Sequence, residues 1–134
     1  WDRVDKNGKG RELHLQEAME AIDFELYDNY KTNYSKKLND TNEIVNTPFF
    51  TTNLLELDMG VEKNYEELDS FVILLATEGK FRYSDPNGNS GELKAGESLL
   101  IPAVQKNIAI HPLGKCTILE VYILALDEIS KPDL

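Results

Sequence analysis

The chain is predicted to be all-β, a barrel or a two-sheet sandwich, with one short helix ahead of it. Three observations point there. From Thr51 onward, apolar stretches of strand length follow one another at close spacing. Turn residues separate them, most clearly in "DPNGNSG" and at Ala95-Gly96. A helical period occurs only once, near the start.

Residues 1–10 are polar with two glycines and read as a lead-in. From Arg11 the period turns helical. Leu15, Ala18, Met19, Ile22 and Leu26 share one face, and Gln16, Glu17, Glu20 and Asp23 lie off it. Residues 27–46, rich in Asn, Lys, Asp and Thr, read as an exposed loop with at most short extended pieces. The period then drops to two. "TTNLLELDMG" puts Leu55, Leu57 and Met59 on one side of a strand, against Glu56 and Asp58. "FVILLATEG" is a solid apolar run, the signature of a strand buried on both faces. "KFRYS" alternates Phe81 and Tyr83 with polar residues. "GELKAGESLLIPA" gives two short strands about a glycine turn, stopped by Pro102. "NIAIHP" and "CTILEVYIL" complete six or seven strands. The predicted organisation is a junction over residues 1–46 and a β-barrel over residues 47–134, together one compact domain.

The 134 residues, 41% of them hydrophobic, suffice for one core. The formal net charge of −10 speaks against nucleic acid or an anionic membrane as partner, since both need clustered Lys and Arg. The single cysteine, Cys116, lies in a strand-like run and reads as a buried, inert thiol; alone it forms no internal disulfide. The sequons at Asn33 and Asn39 read as chance matches. No apolar run approaches the ~20 residues of a membrane span.

The stretches "ELDSFVILLATEGKFRY", "GELKAGESLLIPA" and "GKCTILEVYI" resemble a cupin, a double-sheet jelly-roll barrel. In that family's pattern, inward-facing histidines and a glutamate hold a divalent metal. Counted from Gly79, Gly96 and Pro102, those positions fall at Tyr65, Glu67, Val72 and Asn107. None is a histidine, and a transition metal wants imidazole and carboxylate ligands. The resemblance therefore implies a barrel that binds no metal of its own.

The opening "WDRVDKNGKGRELHLQEAMEAIDF" is similar to a junction in bacterial type I mannose-6-phosphate isomerases of the short kind. In those proteins a zinc cupin comes first and a metal-free cupin closes the chain. The resemblance implies that this chain is that C-terminal domain of a longer, cytoplasmic protein. It also implies an upstream zinc-cupin domain as partner, carrying the zinc ligands and an active-site Arg ahead of Trp1. The implied reaction interconverts mannose 6-phosphate and fructose 6-phosphate by proton transfer between C1 and C2, with zinc polarising the sugar oxygens. This piece alone is expected to be inactive, to contain no catalytic residue and to bind no zinc.

Few residues here are candidates for chemistry. By the same resemblance, Arg11 sits where a basic residue lies near the sugar-phosphate pocket, and its guanidinium suits a phosphate; the competing reading is a solvated first-turn Arg. His14 and His111 lack the partners of a metal site and read as surface or packing residues. Glu66, Glu67 and Asp69 read as a solvated acidic loop. The Leu15, Ala18, Met19 and Ile22 face must cover apolar surface, and an interface with the upstream domain is favoured. Two other functions stay open. One is a free-standing cupin that binds a sugar or other small molecule without catalysis. The other is an interaction protein that forms a homodimer through the outer face of its barrel.

Overall fold

The computed structural model describes residues 4–10 and 13–123. It comprises two compact units, Trp1–Lys31 and Thr32–Leu134. In the first unit the helix α1 runs over Leu15–Ala21, shorter than the apolar face predicts. Its N-cap, His14, makes no side-chain cap bond, and the C-cap Ile22 is already extended. Asp23 explains the stop. Its carboxylate accepts the Glu25 N–H at 2.9 Å, a local turn that competes with another helical step. Leu26 therefore lies beyond the helix, and none of the helical residues is buried.

The second unit is built of nine strands. They are β1 (Thr41–Asn46), β2 (Thr51–Leu57), β3 (Val61–Asn64), β4 (Val72–Glu78), β5 (Lys80–Ser84), β6 (Ser90–Lys94), β7 (Ser98–Ile101), β8 (Asn107–Pro112) and β9 (Cys116–Tyr122). One sheet has the order β1-β2-β9-β4-β7 and the other β3-β8-β5-β6. Every pairing between named strands is antiparallel. This is the all-β architecture that the strand pattern predicts, in the two-sheet jelly-roll form that the cupin resemblance implies.

Two strands escaped the sequence reading. Thr41–Asn46 pairs with β2 and so belongs to the sheet, not to an exposed junction loop. Its one fully buried side chain is Asn42, so no apolar alternation marks it. Val61–Asn64 pairs with β8, and its inward positions are Val61 and Lys63, an unpromising pair for a strand. A third reading needs correction. The run from Val72 is not buried on both faces: Val72, Leu74 and Ala76 are buried, whereas Ile73 and Leu75 are only half-buried.

Apolar side chains pack the centre of the barrel. Leu55, Leu57, Val72, Leu74, Phe81, Ile110 and Ile118 are each at most 1% exposed. Each such side chain contributes about 1.5–3 kcal/mol on leaving water. Gly79 closes the β4–β5 turn at φ +70°, and a Cβ there would collide with the Lys115 carbonyl oxygen. Its own carbonyl accepts the Ala95 N–H at 2.9 Å, which ties this turn to the one after β6.

Candidate functional site

The polar heart of the barrel is built on Glu120. Along β9, Cys116, Ile118 and Glu120 point inward, so strand alternation alone carries a carboxylate into the interior, where it is 1% exposed. Asn53 is its register partner on β2 and gives its side-chain amide to Oε2 at 2.8 Å. The Tyr65 hydroxyl donates to Oε1 at 2.7 Å. Lys63 reaches across from the opposite sheet, its Nζ 3.0 Å from Oε1 and 3.2 Å from Oε2. Nζ also donates to Thr41 Oγ1 at 2.7 Å and lies 5.9 Å from the Tyr65 ring centroid.

This set is closed on itself. The carboxylate has room for about four acceptor contacts and receives four. No buried side-chain nitrogen or oxygen among the described residues lacks a partner. Burial, and after it the Glu120 charge, holds the Tyr65 phenol far above its ordinary range, so it remains protonated. A phenol locked to a carboxylate and an ammonium locked to the same carboxylate supply neither a free base nor a free acid. A cleft of about 500 Å3 opens above them, lined by Asn64, Tyr65, Glu66, Glu67, Leu68, Glu120 and Tyr122. Its rim is acidic and does not suit a phosphate.

The positions that the family pattern gives to metal ligands carry other chemistry here. Val72 is buried hydrocarbon, Tyr65 is the phenol just described, Glu67 is exposed and Asn107 opens β8 half-buried. No group of three or more His, Cys, Asp or Glu among the described residues is arranged for a metal. This donor set does not fit zinc. His14 is exposed, 3.6 Å from Glu17, and His111 lies on β8 with its ring against Gly60. Glu66, Glu67 and Asp69 are exposed, as a solvated loop requires. Burial raises the Cys116 thiol, which packs in the core. Arg11 lies outside the described residues.

Sequence reasoning passed over Asn53, Lys63 and Glu120, and it reached Tyr65 only as a vacated ligand position. The signal was present in "CTILEVYIL". An acid two residues after an inward isoleucine must itself face inward and needs a cation.

No family model matches the chain. The chain is 28% identical, over 127 aligned residues, to the protein named "Putative mannose-6-phosphate isomerase YvyI" of Bacillus subtilis (strain 168). The match covers 92% of this chain and 38% of that protein. Among solved structures it is similar to the mannose 6-phosphate isomerase from Bacillus subtilis, with TM-score 0.65 and 25% identity, again over 92% of this chain and 38% of the other. A cupin-2 domain protein from Shewanella frigidimarina shares the fold at TM-score 0.53 and 13% identity, over 81% of this chain and 91% of that one. The chain thus spans well under half the length of the isomerases it matches.

Proposed function

We propose that this chain, a cupin-fold relative of the mannose-6-phosphate isomerases, is the metal-free C-terminal domain of such an enzyme. One observation carries the reading. Where the family pattern would place metal ligands, this barrel has buried hydrocarbon at Val72 and a phenol at Tyr65, beside a carboxylate saturated by Lys63, Tyr65 and Asn53. In this reading an upstream cupin holds the zinc and performs the aldose–ketose isomerisation of mannose 6-phosphate to fructose 6-phosphate. The domain described here stabilises that partner and closes one side of its substrate site. A cytoplasmic location goes with the reading; no helix among the described residues is long and apolar enough to cross a membrane.

Two contacts follow. Arg11 is proposed to hold the substrate phosphate with its guanidinium, and the Leu15–Ile22 face to dock on the upstream domain. In the full-length enzyme, Arg11→Lys then raises KM for the sugar phosphate at least fivefold with kcat nearly unchanged; an unchanged KM removes Arg11 from the site.

The deciding experiment compares the 134-residue chain with the full-length protein for isomerase turnover and zinc content. Turnover and one zinc in the full-length protein, with neither in the chain alone, support the proposal. Turnover by the chain alone overturns it. Saturable sugar binding by an inactive full-length protein would instead favour a free-standing binding cupin. A dimeric mass for the chain alone would assign its apolar face to a second copy.

A further inference from the structure

A second cavity, of about 360 Å3, lies apart from the Glu120 cluster. That is space for roughly a dozen waters at ~30 Å3 each. It opens where β6 and β7, successive strands at the edges of different sheets, leave the barrel wall unpaired. Tyr83, Leu99, Ile101 and Ile108 form its walls, and Pro102 and Val104 its apolar lip. The turns that frame it are pinned together by Asn87, whose side-chain amide donates to Gln105 Oε1 at 3.0 Å.

Two features give this cavity a chemical preference. The first is Gly91, the register partner of Tyr83. The Tyr83 ring lies over it so closely that a Cβ on residue 91 would stand 2.8 Å from the ring and from its hydroxyl oxygen. The glycine lets the ring lean onto β6 and leave the space between the sheets open. The second is Asp85, the one charged residue among those lining the cavity. Its Oδ1 accepts the Asn87 and Asn89 N–H groups at 2.9 and 2.8 Å, and Oδ2 accepts the Asn89 side-chain amide at 2.7 Å. The Asn89 side-chain amide, and after it the Asn89, Asn87 and Gly88 N–H groups, keep the carboxyl below its ordinary range, hence ionised. Asp85 forms no ion pair with a Lys or Arg among the described residues. Lys106 donates to the Leu68 carbonyl, and Lys63 is committed to Glu120.

We propose that this seam cavity binds a small apolar amine, its hydrocarbon body between Tyr83, Leu99, Ile101 and Ile108 and its ammonium on the Asp85 carboxylate. Apolar walls with a single anion at the mouth complement a molecule of the opposite pattern. Asn89 and Gln105 add neutral polar groups to the lining. The inference is independent of the isomerase reading, since it involves neither sugar nor zinc.

Amide NMR titrations of the 134-residue chain with three probes of one shape test it: 2-phenylethylammonium, 2-phenylethanol and 3-phenylpropionate. The cation is expected to bind with a Kd on the order of 1 mM, with shifts confined to residues 83–91 and 99–108. The alcohol should bind several-fold more weakly and the anion at least tenfold more weakly. Gly91→Ala should drive the Tyr83 ring into the cavity and weaken the cation at least tenfold, with the remaining spectrum unchanged. Asp85→Asn, whose Oδ1 can still accept the Asn87 and Asn89 backbone N–H groups though not the Asn89 side-chain amide, should bring cation and alcohol to equal affinity. No saturable shifts, equal binding of the anion, or a Gly91→Ala variant that folds and binds as before would each overturn the proposal.

Discussion

Lys63 and Glu120 meet across the barrel from opposite sheets, the ammonium nitrogen within 3.2 Å of both carboxylate oxygens. The pair is nearly dry, with side-chain exposures of 15% and 1%. In water such a pair contributes little, but here each charge is the other's main compensation. The two sheets of the jelly roll are thereby tied by a buried ion pair.

Removing one partner should therefore cost more than removing both. Lys63→Met leaves the Glu120 carboxylate buried without a cation, and the expected loss is about 3–5 kcal/mol. Lys63→Met combined with Glu120→Gln should recover at least half of it. Urea midpoints of the two single variants and the double variant, treated as a double-mutant cycle, check this. Additive losses would mean that the pair is not coupled.

Tyr65 makes the same cluster sensitive to alkali. Its phenol is held far above the ordinary value of 10.0, first by burial and then by the Glu120 charge. The unfolded chain releases that proton near pH 10, whereas the folded chain keeps it. Above pH 10 the folded state binds more protons than the unfolded one, so stability falls as pH rises. Tyr65→Phe should be the less stable protein at pH 7, yet its alkaline slope should be shallower by about 1.4 kcal/mol per pH unit, the equivalent of one proton. Parallel slopes for the two proteins would contradict the assignment.

Much of the barrel was legible because its inward residues alternate plainly. Leu55 and Leu57, Phe81 and Tyr83, Ile108 and Ile110, and Cys116 and Ile118 announce their strands. β1 and β3 were missed for a common physical reason. In each, one inward side chain, Asn42 or Lys63, is polar and is held by hydrogen bonds that apolar alternation does not reveal. Asn42 is buried because it bonds Lys37, Asp40 and Leu54 carbonyls, and Lys63 turns inward because Glu120 lies 57 residues on. Hydrophobic periodicity cannot report a position whose burial is paid for by a hydrogen bond. The Glu120 site shares this property, so the cluster was not readable from the alternation of apolar residues.

Gly79 offers a sharper test of the turn chemistry. Its positive φ and its contact with the Lys115 carbonyl each exclude a side chain. Gly79→Ala must pay for the left-handed conformation and also push β4 away from the start of β9. The expected cost is about 2–4 kcal/mol, larger than conformation alone would give. Gly96, at φ +90°, has nothing near its missing Cβ, so Gly96→Ala should cost only about 1 kcal/mol. Equal losses at the two sites would show that the close approach at Gly79 relaxes freely.

Asn42 fixes the segment that leads into the barrel. Its Oδ1 accepts the Lys37 N–H at 2.8 Å, and its amide donates to the Lys37 carbonyl at 2.9 Å, so one side chain clasps one residue by both backbone groups. The same amide also lies 3.3 Å from the Leu54 carbonyl on β2. Asn42→Ala strands these groups where water reaches them poorly, and each buried group left unpaired costs about 1–3 kcal/mol. Because the affected groups lie in one loop, part of the loss should be local opening rather than global unfolding. Limited proteolysis should accordingly cut the Asn42→Ala variant between residues 32 and 40 at least tenfold faster, while the β2–β9 ladder keeps its hydrogen-exchange protection. If cleavage accelerates only in proportion to a drop in the urea midpoint, Asn42 stabilises the whole barrel and not this loop.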